Sequence, residues 1–124
     1  MAKLLIADDH EGIRDLVRIT LTDERYEIVE ATDGDEALEL ALEHRPDLIF
    51  LDVTMPKKSG LDVCRSLKSN PDTSAMTIVM LTSLGQEKDR EKGLSAGADG
   101  YFTKPFSPIA LLRKVDEVLA RVVR

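Results

Sequence analysis

Five short runs punctuate the chain: KLLIAD (3–8), YEIVEA (26–31), DLIFLD (47–52), TIVMLT (77–82) and GYFT (100–103). Each is separated from the next by a stretch long enough for a crossover helix. KLLIAD, DLIFLD and TIVMLT are nearly continuous in apolar residues, the pattern of strands covered on both faces rather than on one. The intervening segments carry helix signals. Thr32 precedes DGDEALELALEH, with Asp35 three residues on, and offers an N-cap; Ala37, Leu38, Ala41 and Leu42 share one apolar face. Ser107 and Pro108 stand where a cap and a first helical residue belong, and Leu111, Leu112, Val115, Val118, Leu119, Val122 and Val123 repeat at helical spacing behind them. Five βα units in succession predict an α/β fold with a parallel sheet, right-handed crossovers and helices on both faces.

That architecture says where chemistry belongs. Ligands of open parallel sheets collect at the carboxyl ends of the strands, where strand order reverses. Asp8 and Asp9 follow the first strand, Asp52 ends the third, Thr82 ends the fourth and Lys104 follows the fifth. In the flavodoxin-like order 2-1-3-4-5 the first and third strands are neighbours, so Asp8, Asp9 and Asp52 converge. Two unit charges about 4 Å apart repel by roughly 4 kcal/mol at an effective dielectric near 20. Three clustered carboxylates therefore call for a divalent cation, and Mg²⁺ suits one or two carboxylates, a carbonyl and several waters. An aspartate beside such an ion and a lysine is equipped as a nucleophile toward phosphorus, with Thr82 able to hydrogen-bond a phosphoryl oxygen.

Taken together, ADD (7–9), LDVTMPKKSG (51–60), LTS (81–83) and GADGYFTKPFS (97–107) resemble the receiver domain of two-component response regulators, over essentially the whole chain. The resemblance implies a flavodoxin-like doubly wound (βα)5 fold and a single receiver domain over 1–124. It implies that Asp52 accepts a phosphoryl group from the phosphohistidine of a sensor histidine kinase or phosphotransfer protein, or from a small acyl phosphate. Asp9, Asp52 and the Thr54 backbone carbonyl would bind Mg²⁺, or Mn²⁺ in its place, with Asp8 assisting through water. Lys104 would pair with the phosphoryl group, Thr82 would move toward it and Tyr101 would turn inward. The surface of the fourth helix, fifth strand and fifth helix would then change its preference for a downstream effector. In the family, the positions of Thr54 and Leu84 tune hydrolysis, and Lys104-Pro105 matches a cis peptide. Residues 86–106 also resemble the dimerising face of regulators with winged-helix output, although Gly100 stands where that subfamily often has a second acid, so a phosphorylation-dependent homodimer is expected only in part.

Composition bears on partners. With 124 residues, 43% of them hydrophobic and 32% charged, the chain is of ordinary single-domain size. No apolar run approaches the roughly 20 residues of a membrane span. The net charge of -6 would repel a phosphate backbone, so direct nucleic-acid binding by this domain is not expected. The lone Cys64 has no intrachain partner and is read as an inert core residue, and no leader pattern opens the sequence, so a cytoplasmic protein is expected. No effector sequence follows within the chain, which fits a stand-alone regulator or part of a longer one. Other readings are weaker. The haloacid-dehalogenase-like hydrolases also phosphorylate an aspartate, but after their first strand and with a second acid where Thr54 stands. A flavin binder would want a hydroxyl-rich loop where DDHEG (8–12) is found. A non-phosphorylated pseudo-receiver would not need the full acid, Thr and Lys set. His10 lacks the His or Cys spacing of a transition-metal site, His44 reads as a surface residue at a helix end, and Asp8 and Asp9 compete with their neighbours to cap the first helix.

Overall fold

The structure is a computed structural model that describes residues 2–22, 26–83, 87–104 and 106–122, without the side chains of 87–90, 121 and 122. The elements alternate as expected: β1 (Ala2–Ala7), α1 (Glu11–Thr20), β2 (Tyr26–Ala31), α2 (Gly34–His44), β3 (Leu48–Asp52), α3 (Gly60–Ser69), β4 (Thr77–Ser83), α4 (Glu87–Ser95), β5 (Gly100–Lys104) and α5 (Pro108–Val122). The five strands form one parallel sheet in the order β2-β1-β3-β4-β5. Strand boundaries differ from the sequence reading by a residue. Asp8 lies just beyond β1 rather than inside it, and Lys104 is the last residue of β5.

Because strand side chains alternate, the sheet divides its apolar residues between two cores. Leu5, Ile49, Leu51, Ile78 and Met80 pack under Ala37 and Ala41 of α2, Val63, Cys64 and Leu67 of α3, and Ala96 just past α4. Leu4, Ile6, Phe50, Val79 and Leu81 face the other way, toward Val17 of α1 and Leu111, Val115 and Val118 of α5. β3 is buried along its whole length, and removing a side chain such as Phe50 or Leu51 from water contributes about 1.5–3 kcal/mol each. This double covering is why the strands are apolar on both faces.

At the helix starts the structure departs from the sequence reading. Asp33, not Thr32, caps α2: its carboxylate accepts the Glu36 amide at 2.8 Å, while the Glu36 carboxylate accepts the Thr32 amide at 2.7 Å. An ionised carboxylate is the stronger acceptor for that position, and it is Glu36, rather than Asp35, that reaches back, to the amide just ahead of the cap. The carboxyl group of Asp33 is held below its usual range, chiefly by the Glu36 amide. The helix ends at Arg45 in the left-handed region (φ 48°), just ahead of Pro46. Ser59 caps α3, and Ser107 accepts the Ala110 amide at 3.0 Å at the start of α5, as its sequence suggests. No side chain caps α1, where His10 occupies the cap position. Leu42 and Leu112, expected in apolar faces, are 43% and 39% exposed. Leu84, Val123 and the peptide bond to Pro105 lie outside the described residues. Among the described residues no helix is long and apolar enough to cross a membrane.

Candidate functional site

The parallel pairing delivers the predicted residues to one rim. Asp8 follows β1, Asp52 pairs with Leu81 at the end of β3, Thr82 pairs with Thr103, and Lys104 pairs with Ser83. Asp8 is fully buried and Asp52 nearly so, whereas the Asp9 side chain is 36% exposed. Burying carboxylates requires compensation. Lys104 supplies it from the far side of the sheet edge: its ammonium lies 2.6 Å from Asp8 Oδ2 and 3.2 Å from Asp52 Oδ2. The shorter contact is to Asp8, the more deeply buried of the two acids.

Local structure fixes each acid. Asp8 Oδ1 accepts the His10 amide at 2.9 Å, and the Asp8 carbonyl accepts from Arg14 of α1 at 2.9 Å, so the turn after β1 is tied at both ends. Asp52 Oδ1 accepts the Thr54 amide at 3.2 Å, a short loop that holds Thr54 directly beside the carboxylate. The loop from β3 to α3 then folds back tightly, with the Gly60 amide on the Val53 carbonyl at 2.8 Å and the Gly34 amide on the Pro56 carbonyl at 3.1 Å. Both glycines are obligatory there. A Cβ on Gly60 would stand 1.9 Å from the Asp52 carbonyl oxygen, and one on Gly34 would stand 1.8 Å from that of Lys58. Lys57, in the same loop at φ 71°, reaches Asp33 at 3.6 Å.

Burial and the neighbouring Asp8 charge raise the Asp52 carboxyl to a pKa of about 6, against the lowering influence of Lys104 and the Thr54 amide. Desolvation pulls the Lys104 ammonium down, but Asp8 and Asp52 outweigh it and hold the group above its ordinary value. The site thus keeps its lysine charged while one of its acids is ready to take on a proton or a positive neighbour. Thr82 is buried, and its hydroxyl donates to the Phe102 carbonyl at 3.5 Å, a long bond directed toward β5. Tyr101 is half-buried and packs against the apolar cluster that contains Met80 and Ala96. Cys64 is buried as expected, its thiol pushed up to about 11 by desolvation. His44 closes the last turn of α2.

Asp8, Asp9, Asp52 and His10 each present a ligand atom, all within 4.8 Å of one another. The oxygen donors fit Mg²⁺ well: hard carboxylates converge at a rim open to water. His10 is the member with the weakest signal in the sequence, since a histidine adjoining two acids carries no ligand spacing of its own. The two glycine contacts were also missed. Only the Ser-Gly and Asp-Gly pairs at the helix starts hint at them.

A sequence model of the response regulator receiver domain matches residues 4–116. The chain is 41% identical over 124 residues to the DNA-binding dual master transcriptional regulator RpaA of Synechocystis sp., a match covering all of this chain and 52% of that protein. It spans about half the length of the curated relatives it matches. Among solved structures it superposes on the chemotaxis response regulator CheY4 of Vibrio cholerae with a TM-score of 0.86 at 37% identity, covering 95% of this chain and 98% of that one. The signal receiver domain of a signal transduction histidine kinase from Syntrophus aciditrophicus gives a TM-score of 0.90 at 32% identity, with 100% of this chain and 94% of that one covered.

Proposed function

The chain belongs to the response regulator receiver domain family of two-component signalling, and on that premise we propose that Asp52 takes up a phosphoryl group from the phosphohistidine of a sensor histidine kinase or phosphotransfer protein. The observation that carries this reading is the buried Asp52 carboxylate at a strand end, 3.2 Å from the Lys104 ammonium and within one acidic cluster with Asp8 and Asp9. With a pKa of about 6, Asp52 is mostly ionised at neutral pH and keeps a lone pair for attack. An oxygen of Asp52 forms the new bond to phosphorus as the phosphorus–nitrogen bond of the donor breaks and its electron pair leaves with the imidazole. Asp9, Asp52 and the Thr54 carbonyl would hold Mg²⁺, with Asp8 assisting through water and Mn²⁺ able to substitute. Bound there, the cation offsets negative charge on the oxygens of the group in transit.

Lys104 does the same from the protein side. It already stands between two acids and can share its protons with a phosphoryl oxygen without leaving the site. The Thr82 hydroxyl has little to give up, since its present bond to Phe102 is at the outer limit of length. Turning toward the phosphoryl group vacates space beside β5, into which Tyr101 moves, and the α4, β5 and α5 surface presents a different face. The role is that of a phosphoacceptor that contributes to its own phosphorylation and dephosphorylation, rather than of an enzyme turning over a separate substrate. A cytoplasmic setting suits a kinase partner of this kind. Downstream, RpaA and other curated relatives are transcriptional regulators about twice this length, so the switched surface would act on an effector protein or output domain, with homodimerisation as one route. The net charge of -6 leaves nucleic-acid contact to that effector.

Acetyl phosphate with Mg²⁺ tests the assignment by intact mass. The wild-type chain should gain one phosphoryl group and Asp52→Asn none. Modification of Asp52→Asn at the wild-type rate would overturn the reading.

A further inference from the structure

His10 stands out among the side chains of the rim because an oxygen-only site for Mg²⁺ has no need of it. Its ring is 68% exposed, and among the described residues its only hydrogen-bond or ion-pair partners are the acids of the site: Nδ1 lies 3.0 Å from Asp8 Oδ1 and 3.3 Å from Asp9 Oδ1. A single hydrogen bond to Asp8 accounts for the first distance. The second brings the same nitrogen toward the acid that also faces solvent. A cation shared by the ring and the acids would make use of that convergence. Donors in neighbouring corners of an octahedron lie apart by the metal–ligand distance times the square root of two, about 3.0 Å for bonds of about 2.1 Å. His10 Nδ1 and Asp9 Oδ1, 3.3 Å apart, therefore already stand near the spacing of two adjoining ligands of one cation, and His10 and Asp9 belong with Asp8 and Asp52 to the same 4.8 Å group.

Resting on the reading of this rim as a cation site, we propose that His10 is a further protein ligand, coordinating through Nδ1, and that it moves the site's preference from Mg²⁺ toward the borderline divalent ions Ni²⁺ and Zn²⁺ and, to a smaller degree, toward Mn²⁺, which is hard but takes imidazole more readily than Mg²⁺ does. The chemistry of the donor sets the direction. Mg²⁺ is hard, keeps its waters and gains little from imidazole, whereas neutral imidazole is a common ligand of Ni²⁺ and Zn²⁺. The structural setting agrees. His10 opens α1 at the cap position without making a side-chain cap, so its ring is not committed to the helix. It also lines an open pocket of about 500 Å³ with Glu11, Gly12, Ile13, Ser83 and Lys104, so the ring can be reached from solvent.

The test is direct cation binding to the full chain, by calorimetry with Mg²⁺, Mn²⁺ and Ni²⁺ in turn, for wild type, His10→Ala and Asp9→Asn. His10→Ala should weaken Mn²⁺ and Ni²⁺ binding, the latter by about tenfold or more, and leave Mg²⁺ within about twofold. Bound Mn²⁺ should show nitrogen coupling in its electron spin echo for wild type and lose it in His10→Ala. A Mn²⁺ and Ni²⁺ preference unchanged by His10→Ala, or a wild-type echo without nitrogen coupling, would overturn the proposal while leaving the oxygen site intact. If Asp9→Asn also leaves Mg²⁺ affinity untouched, the cation-site reading itself fails and the His10 proposal with it. As His10 is exposed, the Ala variant should keep wild-type circular dichroism, so a loss of affinity reports the ligand and not the fold.

Discussion

At the scale of single residues, the site is a negotiation over one buried charge. Asp52 was legible because an acid ending an otherwise apolar strand is costly to bury unless a cation or a reaction requires it there. Asp8, Asp9 and Lys104 were legible because parallel topology sends strand ends to one rim. The position of Lys104, between Asp8 and Asp52 rather than beside Asp52 alone, was not, since it depends on side-chain reach across three strands. Its consequence is measurable in the metal-free protein. Asp52 has a folded pKa of about 6, above the 3.8 of a free side chain, so the native state holds a proton that the unfolded chain has released between those values. The protonated form's stabilisation is fully present below about pH 4 and is lost as pH rises through about 6. Urea denaturation without divalent ions should therefore show wild type losing about 2 kcal/mol relative to Asp52→Asn between pH 4.5 and pH 8. A gap between the two proteins that stays constant over that range would contradict the assigned burial of the charge.

At the scale of elements, the strands and the apolar faces of α2 and α5 followed from periodicity, but the joints between elements did not. Periodicity records which face is buried; it is silent on how closely two backbones approach. Asp33 displaced Thr32 as the α2 cap, a local competition between acceptors, and the helix then begins at Gly34, where an added Cβ would meet the Lys58 carbonyl in the loop after β3. The same loop leans on Gly60. In Gly60→Ala the added methyl would meet the Asp52 carbonyl oxygen, a backbone atom that cannot swing aside, so Asp52 or α3 must shift. We expect a loss of about 2–3 kcal/mol in denaturant unfolding, together with slower phosphorylation of Asp52 by acetyl phosphate. Gly12→Ala is the internal comparison: it lies in α1 with nothing within 4 Å of the added carbon. There the change should be neutral or stabilising by about 0.5–1 kcal/mol. Equal effects at the two positions would show that the close approach at Gly60 does not constrain the site.

For the molecule as a whole, the two cores and the sheet order bring the strand ends to one rim, and the rim's charge sets the terms on which the fold is stable. The flavodoxin-like order that the family resemblance implies is the one found, and it sets β1 and β3, the strands bearing the acids, side by side. That adjacency has a cost: Asp8, Asp9 and Asp52 meet with one lysine for compensation. An ion that binds the folded rim and finds no such cluster in the unfolded chain must stabilise the native state by mass action. For an ion present at about ten times its dissociation constant the gain is about 1.4 kcal/mol, which for a domain of this size raises the melting temperature by roughly 3–6 °C. Low-millimolar Mg²⁺ should produce a rise of this kind in wild type, and Asp9→Asn should blunt it, because Asp9 is the acid that remains open to solvent. Monovalent salt at matched ionic strength separates this from screening, which weakens the same repulsion without saturating. A melting temperature indifferent to Mg²⁺, or one that Na⁺ raises equally, would mean that Lys104 alone relieves the three acids and that the rim holds no divalent ion.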